Sequence, residues 1–432
     1  MNIESATAPM TTFSRTAEHV MPTYGRQPVA MTRGSGSWLW DEDGKRYLDF
    51  CTGIAVCSIG HCHPAMQQAI QDQAAQLWHC SNLYHIPGQA MLAEFINTEV
   101  MAQPGKVFFS NSGAEANDGL IKAARRYGHA RPKPDGTPRT LVLTFRQSFH
   151  GRTLGGIAAT GQDKVKEGFD PMLPGFLHLP FNDLDAVAAA FGSGDVAAVL
   201  VEPIQGEGGV HVAEKAFLIG LADLCAQHDA LLFYDEVQCG MGRAGAWRGW
   251  DTILGSDAEQ ARPDGVSWAK GMGGGFPIGA FWLGARAVSP TLALHDILGP
   301  GSHGSTYGGS PLASAVSLAV LREIRDAELC ANAENMGKHL TAKLLKAKLP
   351  SVTGIRGQGL LLGIVLDTDA IQRSTTLPDG PTPAMRVVHA CRDFGLLVPP
   401  AGPDVIRLLP PLNVSEEEIA TALAILSRVL SE

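Results

Sequence analysis

Short apolar runs and helical stretches alternate through the middle of the chain. Six runs have the length and content of strands: Lys106–Ser110, Thr140–Phe145, Val196–Val201, Leu231–Asp235, Gly265–Trp268 and Ile278–Leu283. Between them lie stretches with helical periodicity, among them Ala114–Tyr127 and Lys215–His228. Strands separated by helices predict an α/β architecture, a sheet of largely parallel strands with helices on both faces. Earlier, Gly36–Asp49 reads as a hairpin, two aromatic-rich runs around an Asp-Gly turn, and Pro64 starts a helix to about Leu77. Later, Pro311 opens a long helix with Leu312, Val316, Val320 and Ile324 on one face. A second helix carries Met336, Leu340 and Leu344. Leu360–Asp367 and Val405–Leu408 read as extended, Thr375–Pro383 as a loop, and Ser415 with Glu418 as the capping box of a last helix.

At 432 residues the chain exceeds one ordinary core. We expect a loose arm (1–15), the N-terminal part of a small domain (16–75), a large domain (76–310), and an interdomain helix followed by the rest of a small α+β domain (311–432). Hydrophobic content of 45% and charged content of 18% suit a soluble globular protein. The net charge of −9 argues against nucleic acid or an anionic membrane surface as partner. No apolar run reaches the roughly 18–20 residues of a membrane span. The first ten residues lack the basic start and apolar stretch of a signal peptide, and the eight cysteines form no disulfide framework, so a cytoplasmic home is expected. Cys62 and Cys80 are expected as packed small apolar residues. The Cys57…His61-Cys62-His63…His79-Cys80 cluster lacks a paired zinc spacing, and no metal is expected.

The glycines are clustered, and the clusters carry the candidate chemistry. Lys270 lies in Gly265-Val-Ser-Trp-Ala-Lys-Gly-Met-Gly-Gly-Gly-Phe-Pro-Ile-Gly279, and the strand Ala230–Tyr234 ends in Asp235-Glu-Val-Gln238. A carboxylate at a strand end and a lysine in glycine-rich backbone form the pairing that pyridoxal 5′-phosphate (PLP) requires. The lysine makes a Schiff base with the cofactor aldehyde, and the carboxylate keeps the pyridine nitrogen protonated. Ser112-Gly113-Ala114 leaves a strand and enters a helix. Ser112 suits an N-cap, and the Gly113 and Ala114 amides suit an anion; by itself this is also how an ordinary capped helix reads. In Ser148–Leu154, Phe149 offers a face for a planar ring and Arg152 a fork for a carboxylate. Glu207 in Val201–Gly209 reads as functional and Glu202 as a structural hydrogen-bonding group. Ser305 and Thr306 sit in a glycine-rich loop suited to an anion, and Arg407 stands inside an apolar strand, where it needs a partner. Gly240-Met-Gly-Arg-Ala-Gly245 matches a dinucleotide fingerprint, but the residues after it do not read as the helix that motif needs.

Together these segments resemble the class III, ω-amino aminotransferases, from about Tyr24 to Leu412. Thr23-Tyr-Gly-Arg26, Gly53-Ile-Ala-Val56, Gly60-His-Cys-His-Pro64 and Leu77–Tyr84 are most similar to the members acting on N2-acetylornithine. The resemblance implies the PLP fold type I, whose large domain holds a mainly parallel seven-stranded sheet. It implies Lys270 as the cofactor lysine, Asp235 on the pyridine nitrogen, Gln238 on the ring hydroxyl oxygen, and Val237 and Phe149 on the two ring faces. Ser112, Gly113, Ala114 and a neighbour's Thr306 would hold the phosphate, so the active unit would be a homodimer with sites at the interface. Arg152, Ser305, Glu207, Arg407, Tyr24 and Asn82 would meet substrate. The implied reaction transfers an amino group from N2-acetylornithine to 2-oxoglutarate, giving glutamate, in arginine synthesis. Ornithine, succinylornithine, succinyldiaminopimelate and 4-aminobutyrate remain alternative donors. The chain departs from the family at Cys239 and Ala244, where threonine is usual, at Ser310 in place of an asparagine, and in longer stretches at 131–139, 253–262 and 375–383.

Overall fold

A computed structural model describes residues 10–431. Its centre is a seven-stranded sheet of β1 (Gly105–Ser110), β2 (Leu141–Phe145), β3 (Phe176–Leu179), β4 (Val196–Val201), β5 (Leu231–Asp235), β6 (Gly265–Trp268) and β7 (Gly279–Gly284). The strand order is β1-β7-β6-β5-β4-β2-β3. Only β7 runs antiparallel to its neighbours. Burial of every residue of β4, β5, β6 and β7 explains why these strands are continuous apolar runs and are readable as such. β3 is not among the expected strands. It is a four-residue edge strand with partly exposed positions, too short to show a period.

Strand order decides where the chemistry emerges. β5 lies between β4 and β6, with Asp235 level with Ser267, so the carboxylate stands at the carboxyl end of the sheet. The helix Gly113–Ala130 comes after β1 and crosses the sheet. It packs so closely that a Cβ on Gly119 would lie 2.2 Å from the Phe281 ring. This sets the helix N-terminus beside the ends of β5 and β6.

Outside the large sheet, Met31–Ser35, Trp38–Asp41 and Arg46–Asp49 form an antiparallel set, which Leu396–Leu397 extends by pairing parallel to the last. Val352–Gln358, Leu361–Leu366 and Val405–Leu408 form a second small antiparallel sheet. The helix Pro311–Asp326 is capped by Ser310, whose Oγ accepts from the Ala313 amide at 3.3 Å. Val316, Val320 and Ile324 are buried on it as the periodicity predicts. The Ser415–Glu418 capping box is formed.

Three expectations need correction. Residues 1–9 of the expected loose arm lie outside the described residues, but Thr12–His19 is a helix. The Thr11 side chain caps it, and Thr12 Oγ1 donates to Glu42 Oε2 at 2.9 Å. Cys62 is exposed rather than packed, because the chain turns through a left-handed residue there (φ 51°) before the helix Pro64–Ala74. A short helix, Gly249–Leu254, does come after the Gly240–Gly245 fingerprint. It starts four residues beyond the last glycine, after a run of turns, so its N-terminus does not continue the loop.

Candidate active site

Lys270, Asp235, Gly113, Ala114, Phe149, Arg152, Val237 and Gln238 line one cavity of about 220 Å3, together with Asn117, His150 and Glu202. Lys270 opens a turn just beyond β6 in the left-handed region (φ 44°), a strained place for a lysine. The neighbouring turn supports it, since Ser58 Oγ donates to the Gly271 carbonyl at 2.7 Å. Burial pushes the Lys270 amine below its ordinary value. Glu207, Asp235 and Glu202 oppose this and Arg407 adds to it. A lowered amine pKa is what a lysine needs in order to act as nucleophile and base near neutral pH.

Asp235 is held from three sides. Asn117 Nδ2 donates to its Oδ2 at 2.7 Å, His150 Nδ1 lies 2.8 Å from the same oxygen, and the Val237 amide donates to Oδ1 at 3.0 Å. Asn117 is fixed in turn, because Ser267 Oγ donates to its Oδ1 at 2.6 Å and its Nδ2 also reaches the His150 carbonyl. His150, Asn117 and Ser267 are buried, and sequence reasoning assigns them no role. The signal is present but indirect: Asn117 stands one helical turn beyond Gly113, His150 adjoins Phe149, and Ser267 is the cross-strand neighbour of Asp235.

A second cluster borders the cavity. Arg407, 1% exposed, grips Glu207 with both terminal nitrogens, at 2.7 and 3.0 Å. Gln238 bridges the pair: its Oε1 accepts from Arg407 at 2.8 Å and its Nε2 donates to Glu207 at 3.2 Å. The Pro400 carbonyl anchors the guanidinium from behind. Burial would raise the Glu207 carboxyl, but Arg407 and Lys270 outweigh it and hold it at about 2. Burial beside Asp235 instead raises Glu202, whose Oε2 accepts from the Phe149 amide at 3.0 Å. That contact agrees with the structural role expected for Glu202.

The remaining expected residues lie elsewhere. Ser112 is the exposed N-cap, its Oγ accepting from the Glu115 amide at 3.3 Å, and it lines an adjoining cavity that Gly113 and Lys270 share. Asn82 is exposed and donates to the Ser305 and Gly308 carbonyls, at 3.2 and 3.0 Å, so it pins the 305–309 loop instead of facing the cavity. Ser305 Oγ accepts from Asn111 Nδ2 at 3.1 Å and from the Gly308 amide at 3.0 Å. Thr306 is exposed on the same loop. Tyr24, 74% exposed, lines a separate cleft of about 850 Å3 that also includes Arg26, Cys51 and Pro400.

The cavity fits the cofactor read from sequence. A Cβ on Gly113 would fall 2.7 Å from Val237 Cγ1, so only glycine leaves that wall open beside the Gly113 and Ala114 amides. Those first-turn amides have no acceptor within the helix and suit a phosphate. The aromatic face of Phe149, with Arg152 5.4 Å from its centroid, offers a stacking surface next to a cation.

Comparison with known proteins places this geometry. The model of the family "Aminotransferase class-III" matches residues 20–430. The chain belongs to the class III aminotransferases. Among curated relatives, acetylornithine aminotransferase of a Synechocystis species is 42% identical over 96% of this chain and 92% of its own length. That of a Nostoc species is 43% identical over 99% and 95%. Among solved structures, an ornithine aminotransferase from Toxoplasma gondii, described with partial occupancy of PLP at its active site, superposes with a TM-score of 0.86. It is 30% identical and covers 97% of this chain and 93% of its own. An N-acetylornithine aminotransferase from Stenotrophomonas maltophilia gives 0.77 at 35% identity, covering 94% and 97%.

Proposed function

We propose that this aminotransferase uses PLP to move the terminal amino group of N2-acetyl-L-ornithine to 2-oxoglutarate. The products would be N-acetyl-L-glutamate 5-semialdehyde and L-glutamate, a step of arginine synthesis, carried out by a cytoplasmic homodimer. The observation that carries this reading is the Arg407–Glu207–Gln238 cluster beside Lys270. PLP, when bound, supplies an electron-accepting ring that lets a carbon–hydrogen bond beside an amine ionise.

The chain's own residues do the rest. Asp235, fixed by Asn117 and His150, would hold a proton on the ring nitrogen of a bound cofactor. Lys270 Nζ, poised by burial, takes the proton from the substrate carbon bearing the amine and returns it one position away. The two substrates differ at that carbon: N2-acetylornithine carries no carboxylate there and glutamate does. With Glu207 in place, Arg407 is neutralised and the apolar-ended substrate is admitted. When Glu207 moves aside, the Arg407 fork binds the glutamate carboxylate. Arg152 meets the far carboxylate of either substrate.

The homodimer reading is supported by a broad exposed apolar face. Leu77, Trp78, Leu83, Tyr84 and Tyr307 are exposed at 46, 65, 88, 70 and 64%. The two segments that carry them are tied together by Asn82 and by the His79–Tyr307 ring contact at 5.2 Å. Such a face marks an interaction surface, and Thr306 stands within it, where it could reach a partner's site.

A second reading keeps the chemistry and changes the donor to ornithine, favoured by the likeness to the Toxoplasma gondii enzyme. The deciding experiment is a single-turnover absorbance measurement on the holoenzyme with N2-acetylornithine, ornithine and 4-aminobutyrate in parallel. Loss of the cofactor's visible band with N2-acetylornithine at least tenfold faster than with the others supports the proposal. A faster response to ornithine or 4-aminobutyrate replaces the donor.

A further inference from the structure

Two stretches of backbone suit an anion, the turn 112–114 and the glycine-rich loop 305–309, and one side chain joins them. Asn111 lines a cavity of about 230 Å3 together with Ser112, Gly113 and Lys270. Its backbone amide donates to Glu115 Oε2 at 2.5 Å. Its Nδ2 donates to Glu115 Oε1 at 3.3 Å and to Ser305 Oγ at 3.1 Å. Asn111 thus engages both oxygens of Glu115. A carboxylate left loose in the first turn of that helix would compete with any other anion for the amides there.

Other side chains hold the loop as well. Asn82 Nδ2 donates to the Ser305 and Gly308 carbonyls, and Gln89 Nε2 donates to Asn82 Oδ1 at 2.9 Å and to the Gly309 carbonyl at 3.3 Å. Gly308 lies so close to β1 that a Cβ there would fall 2.1 Å from the Phe109 carbonyl oxygen. Ser305 Oγ accepts from the Gly308 amide at 3.0 Å as well as from Asn111, so both its lone pairs are taken. What remains to it is its own O–H, a donor, which suits an acceptor such as a phosphate oxygen.

We propose that Asn111 is a positioning residue for the cofactor's phosphate: it clamps Ser305 and the 305–309 loop to the turn that offers the Gly113 and Ala114 amides, and it keeps the Glu115 carboxylate engaged. The inference rests on the PLP-dependent reading above and adds to it a residue to which sequence reasoning assigns no role. Asn111 needs no contact with the phosphate itself. Without it, the Glu115 charge is freed beside the amides and Ser305 loses the donor that fixes its hydroxyl. Affinity for the anion then falls, while Asp235, Val237 and Phe149, which serve the ring, keep their places. In the proposed homodimer, where loop 305–309 would reach a partner's site, the clamp would join the anion turn of one site to the loop that serves the other.

The test compares PLP with pyridoxal, which has the same ring and aldehyde but no phosphate. Each is titrated against the full chain freed of cofactor, and binding is read from the visible band of the compound joined to Lys270. Asn111→Ala should weaken PLP about tenfold, the worth of one or two hydrogen bonds, and pyridoxal by less than about twofold. Asn111→Asp sets a second carboxylate against Glu115 and should weaken PLP more than the alanine variant does. Asn82→Ala, on exposed chain, should show the same selective loss at smaller size, and it decides the matter if the Asn111 variants do not fold. Equal losses for PLP and pyridoxal, or a PLP affinity within about twofold of the wild type, overturn the inference and leave the cofactor assignment standing. A wild-type chain that develops the band with neither compound sinks the cofactor reading itself.

Discussion

The floor and the rim of the site are built in opposite ways. At the floor, Asp235 is held by Asn117, His150 and the Val237 amide, and each partner is buried in the large sheet or on the helix that crosses it, or lines the cavity directly. At the rim, Asn82 and Thr306 lie on exposed chain among large apolar side chains left open in the single chain. The floor is complete in one chain, and in the proposed homodimer a partner would cover the rim. The difference teaches where rate and where assembly should be lost on mutation: floor variants should fail as single chains, rim variants through the loss of a partner.

The largest expected effect lies at the floor. Lys270→Ala should slow amine transfer by at least about a thousandfold in single turnover, because the group that moves the proton is gone. Its sedimentation should match that of the wild type. At the rim, the pair Trp78→Glu with Tyr84→Glu should convert a dimer to a monomer by sedimentation velocity and lower turnover by about a hundredfold, with the far-ultraviolet spectrum unchanged. A wild-type chain that sediments as a monomer would sink the rim half of the comparison.

Between floor and rim stands the ion pair. The folded Glu207 carboxyl, at about 2, lies below an ordinary glutamate of roughly 4.3. A depressed carboxyl stabilises the fold above the unfolded value, and that contribution is lost as pH falls from about 4 towards 2. Glu207→Gln should flatten the loss of stability over that window, read from urea midpoints, by on the order of 2–3 kcal/mol. The smallest effect belongs to Ser267→Ala. It removes one hydrogen bond to Asn117 and should cost about 1–3 kcal/mol in thermal unfolding. Affinity for PLP should drop severalfold through a less firmly held Asp235.

Much of the fold is legible because burial is written into the chain. β4, β5 and β6 have the expected bounds, since strands covered on both faces are largely apolar, Asp235 and Ser267 being the buried polar exceptions. β3 escapes because an edge strand carries no such demand. The walls of the cavity are legible for a related reason: lysine, carboxylate and glycines each answer to one chemical need. His150, Asn117 and Ser267 are not, because they serve Asp235 and not a ligand, and only the strand register and the helix position bring them together. Tyr24 and Asn82, implied by resemblance, line a different cleft and pin a loop in the single chain.

The parallel pairing of Leu396–Leu397 with Arg46–Asp49 has a consequence for how the protein is made. Arg46–Asp49 leaves the ribosome well before its outer neighbour, which follows the whole central sheet in sequence. Until then Arg46–Asp49 presents an open edge, with Tyr47 and Leu48 in search of cover. The central sheet can assemble during synthesis, but the sheet that holds Arg46–Asp49 must wait for Leu396–Leu397. The nascent chain therefore carries this open edge until Leu396–Leu397 has been made, and the step that closes it is a long-range one of the kind that folds slowly.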